Sequence, residues 1–440
     1  MTRMPWLVGL LAVTLALVPP GPAVAQNEVF IPLLVYRTGP FAPNGIPSAN
    51  GFNDYFNLVN ERDGGVNGVK IAWEECETQY KNDLGVECYE RLKGRKPVLV
   101  NPFSTGITYA LIPKAPVDKV VIHSAGYGMT ASADGRWFPW VFNFPMTYWS
   151  QASAFIKYVG SQEGGLDKLK GKKIVHIFHN SPYGKEANPT LETLARKYGY
   201  EFTALPVDSP GQEQKATWLQ VRRINPDWIY ISGWGVMNQV AVKEAAAHGM
   251  KMDRVVGNWW TGTETDVVPA GDAARGYKSM NFHAAGTNFK LHQDIFKHVY
   301  DKGKGAYGND RAKVGEVLYN RTLINAMLNV EAIRTAMVKF NLKTAPTGEQ
   351  VRWGMENLNI TEKRLEELGM KGMMRPLRVT CENHEGNGLA VVQQWDGKAW
   401  KVVSDWIEPM RDVVRPALEA AAVEEGKKLN YTMRDCSKEK

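Results

Sequence analysis

The 440-residue sequence lacks the short motifs that mark the commonest kinds of enzyme. It contains no Gly-x-Ser-x-Gly motif and no glycine-rich loop ending in Gly-Lys-Ser or Gly-Lys-Thr, which argues against a hydrolase elbow and a phosphate-binding loop. The run Gly-Trp-Gly at 233–235 begins like a dinucleotide fingerprint but has no third glycine. No carboxylates are paired in a pattern typical of acid–base catalysis. These absences weigh against an enzyme, and no cofactor is expected.

Cysteine is also scarce, with four residues in the chain. No two of them form a C-x-x-C pair, and no pair of histidines lies near them, which argues against a metal site. In an oxidising compartment an even number of cysteines favours disulfides, and four cysteines allow three pairings. We favour Cys76 with Cys88, which flank a short strand-to-helix connection, and Cys381 with Cys436, which both lie in the C-terminal part.

Dense clusters of charge are missing, although the net charge is +7. The basic residues are scattered, and the two short basic runs, 91–96 and 168–173, lie just before strand-like apolar runs. Such runs are typical of solvated loops, so the sequence gives no basic patch for nucleic acid. Apolar residues make up 44% and charged residues 22% of the chain, a composition typical of a globular protein. The length allows two or three lobes.

After the N-terminal region, no segment is apolar enough to cross a bilayer. In that region Arg3 precedes the apolar stretch 6–18 and the small residues at 23–25. This pattern is typical of a secretory signal peptide over residues 1–25, cut after Ala25. The apolar stretch is too short for a membrane span, and no cysteine follows the cut to carry a lipid anchor. The sequence therefore predicts a soluble, exported protein.

Short β-branched runs alternate with longer amphipathic runs along most of the chain. The first strand is predicted at 29–36 and the first helix at 45–62, where apolar residues recur at helical spacing. Two long helices are predicted at 291–302 and 315–340, and antiparallel strands at 376–406. The alternation occurs in two series, which implies an α/β fold with two domains and parallel sheets.

The segments that follow the predicted strands share an unusual composition. Each combines glycine or small polar residues with an aromatic residue. In the first series they are RTGPFAPNG, NPFSTG and SAGYG, and in the second HNSPYG, SGWG and GNWWTG. Ligands of open parallel sheets bind beyond the carboxyl ends of the strands, where small residues let backbone N–H groups approach an anion. These loops could also be ordinary connections with local aromatic packing, but their repetition in two series favours a binding site.

The order of these segments resembles that of a known family. The resemblance is carried by TGPFAPNG after the first strand, by GFNDYFNLVNERDGGVNGVKIAWEEC at 51–76, by GKKIVHIFHNSPYGKE, and by INPDWIYISGW and AAAHGMKMDRVVGN later in the chain. They are similar to the exported substrate-binding proteins of ABC importers, in the leucine/isoleucine/valine-binding branch of type I periplasmic binding proteins. The resemblance covers residues 29–340 well and the C-terminal hundred residues loosely.

The resemblance implies a monomer of two Rossmann-like lobes joined by a three-crossover hinge. Lobe one is expected at 27–146 with 283–355, lobe two at 147–282 with 356–410, and a tail at 411–440. Such proteins work in the periplasm, close on a small amino acid or carboxylate between the lobes, and deliver it to the permease and ATPase subunits of the importer. Two other functions stay open at this point: a sensor subunit that reports to a membrane receptor, and an exported enzyme on the same fold.

The resemblance also implies which residues contact the ligand. Its carboxylate is expected at the loop with Ser104 and Thr105 and at the loop 125–127. The aromatic residues after the strands are expected to form the walls. The full predicted set is Phe41, Ser104, Thr105, Ala125, Gly126, Tyr127, Trp149, Tyr183, Trp234, Trp259, Trp260 and Tyr319.

One segment departs from the family pattern. Amino-acid binders of this branch commonly place a carboxylate after the strand that ends here at Gly257, where it holds the ligand's ammonium group. This chain has Asn258, Trp259 and Trp260 there, and Glu264 is the nearest acid. A buried ammonium without a counter-charge is costly, although tryptophan faces offer partial compensation. The sequence leaves two ligand classes open, an amino acid and an aromatic or other apolar carboxylate.

Overall fold

The computed structural model of the protein describes Met1 and residues 28–439. The predicted signal peptide therefore lies outside the described residues, apart from Met1. The strands are β1 (Glu28–Val35), β2 (Lys70–Glu77), β3 (Leu99–Val100), β4 (Val121–His123), β5 (Val141–Phe142), β6 (Lys173–His179), β7 (Glu201–Val207), β8 (Trp228–Ser232), β9 (Val255–Gly257), β10 (Lys278–Asn281), β11 (Asn359–Ile360), β12 (Leu377–Arg378), β13 (Val391–Trp395) and β14 (Trp400–Val402).

Helices connect these strands and cover the sheets. They are α1 (Ala42–Arg62), α2 (Asn82–Leu92), α3 (Thr105–Leu111), α4 (Ala115–Asp118), α5 (Tyr148–Glu163), α6 (Pro182–Lys185), α7 (Asn188–Tyr198), α8 (Lys215–Ile224), α9 (Val236–Ala247), α10 (Glu264–Val267), α11 (Lys290–His298), α12 (Val317–Lys339), α13 (Gly348–Glu356), α14 (Glu362–Glu367) and α15 (Arg411–Lys428). Within residues 28–439, no helix combines the length and the apolar character that a membrane span requires.

Two sheets organise the molecule. In the first, β1 pairs with β2 and β3–β4–β5 pair with one another, all parallel, and a bridge from Leu33 to Asn101 joins the two sets of strands. The second has the order β14-β13-β10-β9-β8-β6-β7, parallel from β10 to β7 and antiparallel at β13 and β14. This confirms the predicted α/β fold with parallel sheets. Each sheet with the helices packed on it is called a lobe below.

The first helix is longer than its apolar pattern indicated. Helix α1 begins at Ala42, three residues before the predicted start at 45. Pro43 lies in its first turn, where a proline removes no helical hydrogen bond and its fixed φ suits the helix. The helix buries one face against the first sheet and against α12, which lies at Val317–Lys339 within the predicted 315–340.

The C-terminal part divides between the lobes differently from the expected boundary. The sequence placed 356–410 in the second lobe. In the structure, buried residues from Leu358 to Val379 pack into the core of the first lobe, together with β1 and α1. Only β13 and β14 extend the second sheet. Several methionines and leucines between 358 and 379 provide the apolar surface that attaches this segment to the first lobe.

Two disulfides and helix α15 attach α2 and the C-terminal segment to the rest of the fold. Cys76 at the end of β2 is bonded to Cys88 in α2, and Cys381 is bonded to Cys436 near the C-terminus. Helix α15 lies between Cys381 and Cys436 along the chain. Its Ala422 is buried in a core cluster with residues of the first lobe. We propose that the three chain crossings between the lobes form the hinge.

Candidate functional site

A small cavity lies where the carboxyl ends of strands from both sheets meet. Segments that follow β1, β2, β3 and β4 supply its walls from the first lobe, and segments that follow β6, β8 and β9 supply them from the second. The eighth segment is the start of α5, which carries Tyr148. The residues that line it are Tyr36, Tyr80, Phe103, Ser104, Thr105, Tyr127, Tyr148, Tyr183, Trp234 and Trp260. The free volume of the cavity is about 20 Å³, room for about one water molecule and far below the usual size of an occupied ligand pocket, so a solute has to widen this space.

The first-lobe wall is fixed through the backbone of Phe103. The Phe103 N–H donates to the Tyr127 hydroxyl at 2.8 Å, and the Tyr36 hydroxyl donates to the Phe103 carbonyl at 3.1 Å. Phe103 has φ +54° and Tyr80 has φ +63°, conformations that non-glycine residues rarely adopt. Backbone strain of this kind concentrates at functional sites, where the surrounding contacts hold it in place.

The second-lobe wall is tied together through Asn258. The amide of Asn258 donates to the Tyr183 hydroxyl at 2.8 Å, and its Oδ1 accepts the N–H of Trp260 at 2.9 Å. The Tyr183 hydroxyl in turn lies 2.9 Å from the carbonyl oxygen of Gly233 and donates to it. The first residue after β9 therefore orients two aromatic side chains of the cavity at once.

The hydroxyl groups of the cavity remain protonated at neutral pH. Burial raises the pKa of Tyr36, Tyr148 and Tyr183 well above the ordinary phenol value. Burial also raises the pKa of Tyr80 and Tyr127. Of the side chains between residues 28 and 439 that line the cavity, none is an acid or a base of ordinary pKa. The walls offer aromatic faces, hydroxyl groups and one indole N–H, but no formal charge.

Two tryptophans of the second lobe contact the first lobe at a single carbonyl. The indole N–H groups of Trp259 and Trp260 donate to the Gly126 carbonyl at 2.9 and 3.3 Å. Gly126 has φ +78°, and a Cβ added there would meet the Phe282 ring at 3.3 Å and the Trp259 ring at 3.5 Å. A larger residue would therefore strain the backbone and separate the two lobes at this contact.

A buried cation lies behind the tryptophans. Arg321 in α12 is fully buried, and its Cζ is 4.8 Å from the ring centroid of Trp260 and 4.9 Å from that of Phe282. Its guanidinium donates to the Trp259 carbonyl and, at 2.8 Å, to Asn281 Oδ1, while its Nε has no partner. Burial lowers the pKa of Arg321 to about 9, so the group is charged at neutral pH. Neither hydrogen-bond partner of Arg321 is a carboxylate.

A wider polar mouth adjoins the cavity. Its volume is about 630 Å³, and Tyr80, Ser104 and Tyr183 line both spaces. Phe41 lies at this mouth, where its ring packs against Tyr80 at a centroid distance of 4.5 Å. The mouth also contains Lys81, Asp83 and several amide and hydroxyl groups, so it is more polar than the cavity.

Six of the predicted contact residues line the cavity: Ser104, Thr105, Tyr127, Tyr183, Trp234 and Trp260. The structure places Phe41 at the mouth. Ala125, Gly126 and Trp259 lie behind the wall and do not line the cavity. Trp149 is partly buried beside the cavity and does not line it either. Tyr319 lies in the core of the first lobe, because its position on α12 directs its hydroxyl to Asp54 Oδ2 at 2.7 Å.

Four cavity residues were not predicted: Tyr36, Tyr80, Phe103 and Tyr148. Tyr36 directly follows β1, and Phe103 precedes the predicted Ser104 in the same loop. Their position at strand ends was a usable signal, since the sequence argument already located the site there. Tyr148 begins α5 and is next to the predicted Trp149, and of this aromatic pair Tyr148 is the member that lines the cavity.

Histidine, cysteine and acidic side chains are spread over the residues that the structure describes. Among those residues, no group of three or more histidine, cysteine and acidic side chains could hold a metal ion. His176 and His179 lie within β6 and are buried, and burial lowers the pKa of each to about 4. They are neutral structural residues at neutral pH.

The fold and the cavity define a two-lobed binding protein whose site lies between the lobes. Comparison with known proteins supports this class. The family model described as periplasmic binding protein matches residues 28–399. A crystal structure described as an ABC transporter permease from the Pseudomonas fluorescens group is 42% identical, covers 93% of this chain and 99% of its own, and has a TM-score of 0.86. No curated protein matches the chain.

More distant structures share the fold. A branched-chain amino acid ABC transporter from Thermus thermophilus with bound valine is 21% identical, with a TM-score of 0.73 and coverage of 90% of this chain and 99% of its own. A solute-binding protein of an ABC transporter from R. palustris in complex with benzoate is 15% identical, with a TM-score of 0.66 and coverage of 87% and 97%. The chain belongs to the periplasmic binding protein family.

Proposed function

We propose that this chain is the solute-binding component of an ABC import system. It takes a small amino acid or carboxylate into the cavity between its lobes and delivers it to the permease subunits at the membrane. The observation that carries this proposal is the cavity itself, which the strand ends of both lobes line with neutral aromatic and hydroxyl groups. A ligand in this position contacts both lobes and so favours the closed arrangement over the open one.

The similar structures support both ligand classes. The Thermus thermophilus protein has bound valine, and the R. palustris protein has bound benzoate. Both are described as parts of ABC transporters, which supports a permease and an ATPase as the partners of this chain. Export to the periplasm follows from the family and from the predicted signal peptide at 1–25. We propose that the protein acts there as a monomer.

The proposed mechanism is hinge closure. Ligand binding brings the Trp259–Trp260 segment of the second lobe against the Gly126 carbonyl of the first. Closure removes water from the cavity and completes the walls around the solute. The permease then binds the closed form. Among the residues that the structure describes, the cavity is lined by hydroxyl groups but by no acid or base of ordinary pKa that could activate them, which supports a protein that binds its solute and does not convert it.

A thermal-shift screen tests this function. The solutes are amino acids, benzoates, cinnamates and dicarboxylates, each added to the exported form of the protein. A solute that binds only the folded state raises the unfolding midpoint. The rise increases with the ratio of solute concentration to Kd. We expect one chemical class to raise the midpoint and the bound solute to be recovered unchanged. Chemical conversion of that solute, or a flat response to all four classes, would contradict the proposal.

A further inference from the structure

The cavity contains an indole N–H group that has no hydrogen-bond partner within residues 28–439. Trp234 follows β8 and is 4% exposed, and its Nε1 is buried and unpaired. It lies close enough to the Tyr36 hydroxyl to lower the pKa of that group, but the two do not meet in hydrogen-bonding geometry. The Tyr36 hydroxyl donates instead to the Phe103 carbonyl. An unpaired buried donor is costly, so a partner from the solute would stabilise this site.

The indole N–H groups of Trp234 and Trp260 differ in their hydrogen bonds. The ring of Trp260 lies edge-to-face with that of Trp234, at a centroid distance of 5.4 Å. The N–H of Trp260 is already used, because it donates to the Gly126 carbonyl. Of these two indoles in the cavity wall, one holds the lobes together and the other is free to bind an acceptor.

The charges around the cavity disfavour a positively charged group. Every side chain that lines it, among residues 28–439, is neutral at neutral pH. An ammonium group would therefore be buried without a counter-charge. The nearest buried cation, Arg321, lies directly behind Trp260 and is itself not paired with a carboxylate. Asp266 is the only carboxyl close enough to influence Arg321 among those described, and it is engaged by Asn238 and by the Thr263 N–H.

We propose that the cavity takes an apolar or aromatic carboxylate that has no ammonium group, and that the Trp234 N–H donates a hydrogen bond to its carboxylate. This inference rests on the proposed function and specifies the solute class of the same site. The positive charge of Arg321 favours the anion through the ring of Trp260, and the aromatic walls pack against the apolar part. Trp234 is in this role a specificity-determining residue.

Two matched pairs of solutes test the class directly. Phenylalanine and 3-phenylpropanoate differ only in the ammonium group, and so do leucine and 4-methylpentanoate. Calorimetry on the full exported chain is expected to show that the acid lacking the ammonium binds about tenfold or more tightly than the amino acid in at least one pair. Equal or tighter binding of the amino acid in both pairs would overturn the inference and leave the proposed function standing. If none of the four binds, and benzoate does not bind, the inference is also overturned, while the wider screen decides the function.

A matched pair of variants tests the role of Trp234. Trp234→Phe removes the free indole N–H, and Trp400→Phe removes another buried, unpaired indole N–H that does not line the cavity. For the tightest-binding acid of the solute series, we expect Kd to rise about 10- to 100-fold in Trp234→Phe, the loss of one hydrogen bond to a charged acceptor. Trp400→Phe is expected to keep the affinity. Both variants are checked for an unchanged circular dichroism spectrum. Equal affinities for this acid in the two folded variants would overturn the assignment.

Discussion

One carbonyl, that of Gly126, accepts the indole N–H groups of two consecutive tryptophans from the other lobe. The residue must be a glycine for two reasons that act together. Its φ of +78° is unfavourable for any residue with a Cβ, and its Cα faces the rings of Phe282 and Trp259. From its place in a strand-end loop, Gly126 was predicted to contact the ligand, and the structure adds its contact with the other lobe.

The Gly126→Ala variant is expected to bind solute less tightly. A residue with a Cβ is strained at φ +78°, and this Cβ would lie 3.3 Å from the Phe282 ring, so the loop is expected to shift and weaken the two hydrogen bonds between the lobes. We expect Kd for the solute found in the thermal-shift screen to rise by about tenfold, as for the loss of one hydrogen bond. Gly64→Ala is the control, because Gly64 has φ +73° and no atom within 4 Å of an added Cβ. If both variants lose affinity equally, the contact at Gly126 has no part in closure.

Asp266 makes the stability of the protein depend on pH. Burial raises the pKa of Asp266 from 3.8 to about 7, opposed by hydrogen bonds from Asn238, the Thr263 N–H and Asn44. The folded state therefore binds this proton more tightly than the unfolded state, whose aspartate pKa is about 3.9. Stability is expected to fall as pH rises from about 4 to about 7, with a slope of at most ~1.4 kcal/mol per pH unit from this carboxyl, and to level off above that range.

Urea unfolding of the parent and of Asp266→Asn across this pH range checks the assignment. The variant is expected to show a shallower decline, and part of the decline should remain because burial also raises the pKa of Glu316 to about 7. Asp294→Asn is the control, since contacts with Lys290 and Arg62 outweigh burial and lower the pKa of Asp294. An unchanged slope in Asp266→Asn would show that this carboxyl is ionised in the folded state at low pH.

At the scale of elements, helix α12 connects the core of the first lobe to the tryptophan segment of the second. Tyr319 on one side of the helix bonds to Asp54 in α1, and Arg321 reaches the Trp259 carbonyl. The two residues are separated by one position and face in different directions around the helix. The sequence predicted the helix and a contact residue at Tyr319, but spacing alone could not tell which side of α12 faces the site. Both sides are buried, so its apolar pattern carries little directional signal.

Removing the guanidinium of Arg321 is expected to affect binding more than folding. A buried charge without a carboxylate partner contributes little to stability, and a packed apolar side chain of similar size often replaces such a group at small cost. We expect the free energy of unfolding of Arg321→Met to lie within about 1 kcal/mol of that of the parent. Its Kd for a carboxylate solute is expected to be about tenfold higher. Arg321→Lys is expected to recover part of this loss, because an ammonium keeps the charge but not the planar stacking on Trp260.

Arg334→Met is the matched control for this experiment. Arg334 lies on the same helix and pairs with Glu331 at 3.1 Å, away from the cavity. Calorimetry on the three variants separates the local effect of Arg321 from a general effect of charge removal on α12. Full affinity in Arg321→Met would show that the buried cation does not act on the solute.

The whole molecule shows which features a sequence can predict. Strand β1 is apolar after Glu28, and β6 is buried from Ile174 to His179, as expected for parallel strands covered on both faces. These runs predicted the class of fold correctly. The loops after them predicted the edge of the sheets at which the cavity lies. The segment 358–379 was assigned to the wrong lobe, because its buried methionines indicate a core but not which core they join. Tyr80 was missed because its place in the cavity depends on a left-handed turn and on contacts from three distant segments.

The closed cavity also explains why the ligand class was hard to predict. Its walls come from eight separate segments, and the free indole N–H of Trp234 is recognised only once every neighbouring acceptor is placed. The departure after Gly257 was visible in the sequence, and the structure adds that no acid of the described residues lines the cavity in its stead. The sequence therefore left open whether the ligand carries an ammonium group, and the side-chain geometry supports a ligand without one.

Closure around a solute is the central claim, and small-angle X-ray scattering measures it most directly. The protein is studied without solute and with a saturating concentration of the compound that gives the largest thermal shift. We expect the radius of gyration to decrease on addition of the solute, with a scattering profile in the bound state that matches the closed structure with its Trp259–Gly126 contact. An identical profile with and without a tightly bound solute would contradict the account.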